Sequence, residues 1–142
     1  MADKLKVFLC HASENKPIVQ QLHDDLKAAG YEPWLDKEIL LYGQDWEREI
    51  KLALKQTDAV IVCFSAKLVN KEGYIQKEIK IALDVADEKP DEVIFIIPAK
   101  LEECEVPDRL NRWQWVNLFR ENGYNKLRNA LKLREKDLQE KT

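Results

Sequence analysis

The stretch DAVIVCF, residues 58–64, carries six consecutive apolar residues after an aspartate. A continuous apolar run of this length is typical of a strand whose two faces are both buried, as in a parallel sheet covered by helices. Strand-like and helix-like segments alternate on either side of it. We expect strands over residues 4–10, 31–35, 58–64, 92–99 and 112–118, and helices over residues 17–30, 46–56, 73–87 and 124–139.

This alternation predicts right-handed β-α-β units and a parallel sheet with helices on both faces. In such a sheet, ligands bind outside the carboxyl ends of the strands, where the strand order reverses. The segments that follow the first three strands, which begin at residues 11, 36 and 65, should therefore converge on one edge.

Composition excludes several classes of protein. The chain has 142 residues, of which 45% are apolar and 35% charged, and its net charge is −3. These values suit one soluble domain with a proper core, and no basic face suggests a nucleic-acid partner. The longest apolar stretches are too short to span a bilayer, and the first residues lack a secretory signal. We therefore expect a cytoplasmic protein without a membrane partner.

The residues that bind metals and cofactors show no recognisable spacing. Cys10, Cys63 and Cys104 form no CxxC pair, so neither disulfides nor a zinc site is indicated, and the first two should pack as small apolar residues. The four glycines form no phosphate-binding loop. We expect no metal and no resident cofactor.

One carboxylate has an unusual position in the stretch GYIQKEIKIAL, residues 73–83. On a helix, the isoleucines form an apolar stripe, whereas Glu78 lies on the shoulder of that stripe, one turn after Tyr74. An ordinary boundary glutamate near a helix N-terminus would explain this position. The alternative is a functional carboxylate at the ligand-binding edge.

Several motifs in order resemble Toll/interleukin receptor (TIR) domains. The resemblance rests on VFLCHASENK, on WLDKEILLYGQDWEREI with its BB loop, on AVIVCFS and on VPDRL…WQWV, and it spans about residues 5–131. It implies a flavodoxin-like three-layer α/β sandwich. The central parallel sheet would have five strands in the order 2-1-3-4-5, with helices on both faces.

The resemblance implies two functional types. Some TIR domains are non-enzymatic modules that act through TIR–TIR contacts, whereas others, including many bacterial members, cleave NAD+ at the nicotinamide–ribose bond. In the enzymatic type, a glutamate after the third strand is essential and an aromatic residue lies four positions before it; Glu78 and Tyr74 match. Tyr74 stands where tryptophan is usual, and Tyr42 precedes Gly43 where proline is frequent.

A lone carboxylate suits this chemistry. Most glycosidases need two acids, one of which protonates a poor leaving group. Nicotinamide leaves NAD+ as a neutral molecule, so only the oxocarbenium-like transition state needs stabilising, which a partly buried carboxylate can do. The resemblance thus favours NAD+ as a substrate and Glu78 as the catalytic residue.

The expected substrate-binding residues each have a structural alternative. His11, Ala12 and Ser13 would offer backbone N–H groups to a phosphate, or Ser13 would simply cap a helix. The other candidates have packing or loop-shaping as the alternative to substrate contact; they are Asp36, Trp46, Phe64, Ser65 and Tyr74.

The BB loop carries an apolar tip that should be covered. Its residues are Ile39, Leu40, Leu41, Tyr42 and Gly43. Apolar residues of this kind indicate a lid over the chain's own cleft or, as the resemblance favours, a contact with another TIR domain.

The chain should divide into a TIR domain over residues 1–132 and a charged helical tail or linker over residues 133–142. Such a tail suggests a fused or partner effector domain. A receiver-like signalling domain of the same architecture is disfavoured, because VFLCHASE lacks the acidic pair and VIVCFS lacks the phosphoacceptor aspartate that such domains use.

Overall fold

A computed structural model describes residues 4–10, 16–35, 46–65, 84–86, 96–106, 110 and 113–140. The strands are β1 (Lys6–Cys10), β2 (Glu32–Leu35), β3 (Ala59–Phe64), β4 (Ile96–Lys100) and β5 (Val116–Asn117). The helices are α1 (Lys16–Ala28), α2 (Trp46–Lys55) and α3 (Gly123–Glu140), and residues 84–86 are also helical. The order of strands and helices along the chain is therefore as predicted for these residues.

The strands form one parallel sheet in the order β2-β1-β3-β4-β5. This order confirms the predicted flavodoxin-like α/β fold. β3 lies at the centre, where Ile61 pairs with Leu9 of β1 and Ile97 of β4. We call the edge at which the strands end the carboxyl edge, and the opposite edge the amino edge.

Alternate side chains of the sheet pack on opposite faces, which produces three layers. One face carries Val7, Leu9, Ile61 and their neighbours against α1 and α3. The other face carries Phe8, Val60, Val62 and Phe64 against Leu54 of α2, Val85 and Leu110. Every side chain of β3 is fully buried, as expected of a strand covered on both faces.

The last predicted strand is much shorter than expected. Only Val116 and Asn117 join the ladder, through pairing with Ala99 and Lys100, instead of the whole of residues 112–118. In this register Trp115 lies opposite Pro98, which has no backbone N–H to donate to a neighbouring strand. The predicted start of β4, residues 92–95, lies outside the described part of the chain.

Helix α1 ends in a glycine turn that directs the chain into β2. Gly30 has φ +98°, which is in the left-handed region that favours glycine. Its N–H donates to the Lys27 carbonyl at 3.2 Å, and the Tyr31 N–H donates to the Leu26 carbonyl at 3.1 Å. This is the Schellman pattern, and Tyr31 and Leu26 share one apolar cluster, as that motif requires.

Asp58 and Arg134 join three elements at the amino edge. The Asp58 carboxylate accepts a hydrogen bond from the Lys6 N–H at 2.9 Å, and the Asp58 N–H donates to the Lys6 carbonyl at 2.9 Å. The Asp58 carbonyl accepts a hydrogen bond from Arg134 Nε at 2.7 Å. Arg134 is only 4% exposed, and its Nη1 donates to Asp137 Oδ2 at 3.3 Å. Burial lowers the pKa of Arg134, and Asp58 and Asp137 oppose that shift.

The helical tail does not separate from the domain within the described residues. α3 continues without interruption past residue 132 to Glu140, and Leu138 packs against the core face that carries α1. Only part of the segment is solvated, as at Leu133, which is 57% exposed. The segment is helical, and Arg134 and Leu138 pack against the rest of the domain. The division at residue 132 stays a prediction.

No helix in the described part of the chain combines the length and the apolar character that crossing a membrane requires.

Replacing Arg134 with methionine should destabilise the domain by about 1.5–3 kcal/mol, because the charged donor to the partly buried Asp58 carbonyl is lost. Urea unfolding measures this change as a lower midpoint with an unchanged slope. Lys126→Met, an exposed position on the same helix, should change stability by no more than about 0.5 kcal/mol. An Arg134→Met variant as stable as the wild type would show that this hydrogen bond contributes nothing net.

Candidate functional site

The segments that the sequence marks as functional follow strands that end at the carboxyl edge. β1 and β3 are neighbours there, with Cys10 beside Val62, although β2 lies between them in the sequence. The strand order therefore reverses between β1 and β3, which is the position where parallel sheets bind ligands. Residues 11–15 follow β1, residues 36–45 follow β2, and Ser65 and the following residues continue from β3.

Most of the predicted site lies outside the described residues. This holds for the catalytic candidate Glu78 and for Tyr74, so their roles stay predictions. It also holds for His11, Ala12, Ser13 and Asp36, and for the predicted interaction loop of Ile39, Leu40, Leu41, Tyr42 and Gly43. Trp46 is the first residue of α2, but its side chain is not described.

Phe64 and Ser65 are the predicted site residues whose surroundings are described. Phe64 is fully buried in the cluster that contains Phe8 and Leu54, which favours packing over substrate contact for its ring. Its carbonyl accepts a hydrogen bond from the Leu101 N–H at 2.9 Å. Ser65 is a buried polar residue, 3% exposed, directly after β3. Their substrate-binding role stays a prediction.

Lys100 is a buried cation at the carboxyl edge that the sequence analysis did not single out. It ends β4, pairs in register with Phe64, and is only 8% exposed. Its Nζ lies 3.5 Å from Glu103 Oε1 and 5.4 Å from the centroid of the Trp115 ring. The sequence feature that could have identified Lys100 is its position at the end of an apolar strand, because a charge there lies at the ligand-binding edge.

The cation at Lys100 is only partly neutralised by its described neighbours. Glu103 also pairs with Arg120, at 3.5 Å, and is itself mostly exposed. A separation of 3.5 Å is long for a charge-assisted hydrogen bond, and an exposed carboxylate is screened by water. Lys100 therefore contributes positive charge to this edge of the sheet.

A protein-family model described as the TIR domain matches residues 7–131, which is most of the chain. The chain belongs to the TIR domain family.

Solved structures agree with this TIR fold. The TIR domain of the Toll-related receptor TRR-2 from Hydra magnipapillata superimposes with a TM-score of 0.71 at 22% identity, covering 87% of this chain and 96% of that one. A prokaryotic SEFIR domain superimposes with a TM-score of 0.69 at 21% identity, covering 89% of this chain and 98% of that one. At these identities the likeness concerns the fold.

A sequence relative comes from the bacterium Sinorhizobium fredii (strain NBRC 101917 / NGR234). Its uncharacterised protein y4cD is 33% identical over 79 residues, which cover 54% of this chain. The match covers only 12% of the length of that relative.

The thiols of this TIR domain are poorly suited to nucleophilic chemistry. The three cysteines, all of them described, form no disulfide with one another. Cys10 and Cys63 are buried, as their prediction as small apolar packing residues requires. Burial raises the pKa of Cys63 to about 12, so its thiolate is absent at neutral pH. Burial also raises the pKa of Cys104, and the nearby charge of Lys100 opposes this shift.

No three histidine, cysteine or acidic side chains of the described residues converge in a way that could hold a metal ion.

Thiol labelling should separate the cysteines by burial. Near neutral pH, iodoacetamide should modify Cys104 first and reach Cys63 only when the domain unfolds, because Cys63 is both inaccessible and protonated. Mass spectrometry of the digested protein measures the modified fraction at each position. Rapid labelling of Cys63 in the native protein would contradict its burial.

Cys63 should also make the stability of the domain depend on pH. Its thiol titrates near 9.0 when unfolded and near 12 when folded. Its contribution to stability is therefore complete below about pH 9 and decreases as the pH rises towards 12.

Proposed function

We propose that this TIR domain cleaves NAD+ at the bond between nicotinamide and ribose, with Glu78 as the catalytic carboxylate. The products are nicotinamide and either ADP-ribose or a cyclic isomer of it. Some TIR domains are NADases. The family match over residues 7–131 includes the segment that carries Glu78.

The observation that carries the proposal is the adjacency of β1 and β3 at the carboxyl edge. Because β1 and β3 are neighbours, the residues that follow each of them begin at the same reversal of strand order. The segment after β1 carries His11, Ala12 and Ser13, and the segment after β3 leads to Tyr74 and Glu78. This arrangement supports a shared ligand site at that edge.

The reaction needs little acid–base chemistry. The C–N bond breaks and its electron pair stays with nicotinamide, which leaves as a neutral base. The anomeric carbon becomes electron-poor and then bonds to water, which releases a proton to the solvent. In the cyclising reaction it bonds instead to another nucleophilic group of the same molecule. In the proposed site, the Glu78 carboxylate stabilises that positive charge and orients the ribose.

The charge at the carboxyl edge suits such a substrate. NAD+ carries a negatively charged diphosphate, and the buried cation of Lys100 lies at this edge, beside Phe64. Partial burial strengthens its attraction for an anion relative to a solvated lysine. We assign Lys100 the role of attracting the diphosphate end of the substrate.

Self-association completes the proposed function. TIR domains generally self-associate. In this TIR domain, we assign the contact to the apolar tip of the BB loop, from Ile39 to Gly43. We also propose a cytoplasmic location and a fused or partner effector domain.

Glu78→Gln should abolish NAD+ cleavage and leave the fold intact, because glutamine keeps the shape of the side chain and removes its negative charge. Chromatography of the products of purified protein and NAD+ measures the reaction and separates linear from cyclic ADP-ribose. Glu32→Gln, at the exposed start of β2 on the amino edge, is the matched control and should retain activity.

Cleavage by the glutamine variant at the wild-type rate would remove Glu78 from the mechanism. A wild-type protein that cleaves no NAD+ at any concentration would favour the non-enzymatic interaction module instead.

Specific activity should rise with protein concentration, because the proposed contact completes the site between two domains. Replacing Leu40 and Leu41 with glutamate should lower activity and self-association together without unfolding the domain. Enzyme assays and light scattering over the same concentration range measure both. Leu52→Glu, at an exposed leucine of α2, is the control for a surface charge. Constant specific activity in a monomeric protein would instead make the loop a lid over its own cleft.

A further inference from the structure

A cavity of about 390 Å³ lies at the amino edge, on the opposite side of the sheet from the proposed NAD+ site. The turn between α1 and β2, including Gly30 and Tyr31, forms one wall, and one side of α3 forms the other. Its size falls in the range of small-molecule sites. We call it the amino-edge cavity.

The cavity wall formed by α3 is positively charged, in contrast to the chain as a whole. Arg128, Lys132 and Lys136 line it at intervals of four residues, which places them on one side of the helix. Glu135 is the single acidic residue among the described residues that line it. Like charges spaced by four residues repel each other along a helix, so a bound anion would relieve this repulsion.

Lys132 and Lys136 have no ion-pair partner among the described residues. The ion pair Arg134–Asp137 of the same helix lies on another side. Three cations over two helical turns span about 12 Å along the axis. That span is too long for one phosphate group and suits a chain of two or three.

Arg128 adds a donor that the described fold does not use. Its Nε is buried and has no acceptor among the described residues. The rest of the guanidinium lies 5.9 Å from the centroid of the Tyr124 ring and lines the cavity beside Tyr31. An arginine guanidinium that lines a cavity is a common recognition group for phosphate oxygens, because its N–H donors match their geometry.

Tyr31 can supply a further hydrogen bond. Burial raises the pKa of its hydroxyl, so the hydroxyl stays protonated at neutral pH. Gly30 leaves space beside it, since a Cβ there would meet no atom within 4 Å.

We propose that the amino-edge cavity binds a small molecule through a diphosphate or triphosphate group, held by Arg128, Lys132 and Lys136. This site is separate from the one that would cleave NAD+, and its existence does not depend on that activity. The phosphate chain comes from a free inorganic oligophosphate or from a nucleotide.

Isothermal titration calorimetry of the whole chain with pyrophosphate tests the site, and ADP in a second titration distinguishes the two sources. We expect binding by the wild type and affinity lower by about tenfold or more in Lys132→Gln/Lys136→Gln, since two charge-assisted contacts are lost. Lys126→Gln, exposed on the same helix and outside the cavity, should bind like the wild type. Tighter binding of ADP would assign the site to nucleotides, and equal affinity would assign it to the oligophosphate itself.

Nuclear magnetic resonance locates the binding. The amide signals of Gly30 and Tyr31 should shift with pyrophosphate, and Arg128→Lys, which keeps the charge but removes Nε–H, should weaken the shift. Sulfate at matched ionic strength should bind more weakly, because it has one anionic centre. The proposal fails if the wild type does not bind at millimolar pyrophosphate, if the double variant binds as tightly, or if only signals of the carboxyl edge shift.

Discussion

Two-sided burial of β3 is the constraint on which this TIR domain depends. All six side chains of the strand are fully buried, so each face of the sheet needs a helical layer. Parallel pairing of β3 with both β1 and β4 then requires every connection to cross back to the amino edge. Consequently all loops that follow strands leave from one edge, and chemistry can concentrate there while the opposite edge carries structural bonds.

Apolar patterning was enough to predict the sheet and its layers, because burial on two faces leaves a direct mark on sequence. The run from Ala59 to Phe64 reads as a central strand without further information. β5 was overestimated, since the length of an edge strand depends on how many backbone groups its neighbour offers. The roles of Arg134 and Lys100 were missed because each depends on a contact with a distant part of the chain. Arg134 hydrogen-bonds the Asp58 carbonyl, and Lys100 lies beside the Trp115 ring.

The candidate site was predicted less completely than the fold. The strand order locates the edge, and the family match includes the segment with Glu78, but spacing alone does not separate a packing residue from a ligand contact. Phe64 illustrates this limit. It ends a strand at the ligand-binding edge, yet it is fully buried and packs in the apolar cluster that contains Leu54. Arg128 shows the converse. A helical arginine in a charged segment is ordinary in sequence, and only its proximity to Tyr31 and Tyr124 in the fold distinguishes it.

The hydrogen bond from Arg134 to the Asp58 carbonyl joins residues 76 positions apart. During synthesis, the Asp58 carbonyl therefore lacks its Arg134 donor until α3 is made. Until then, one face of the sheet also lacks the helix that covers it beside α1. A nascent chain released earlier exposes Val7, Ile61 and Ile97, the apolar face that α3 covers. Chains of this kind are prone to aggregate and are natural clients for chaperones. The domain thus becomes fully folded only after α3 has left the ribosome.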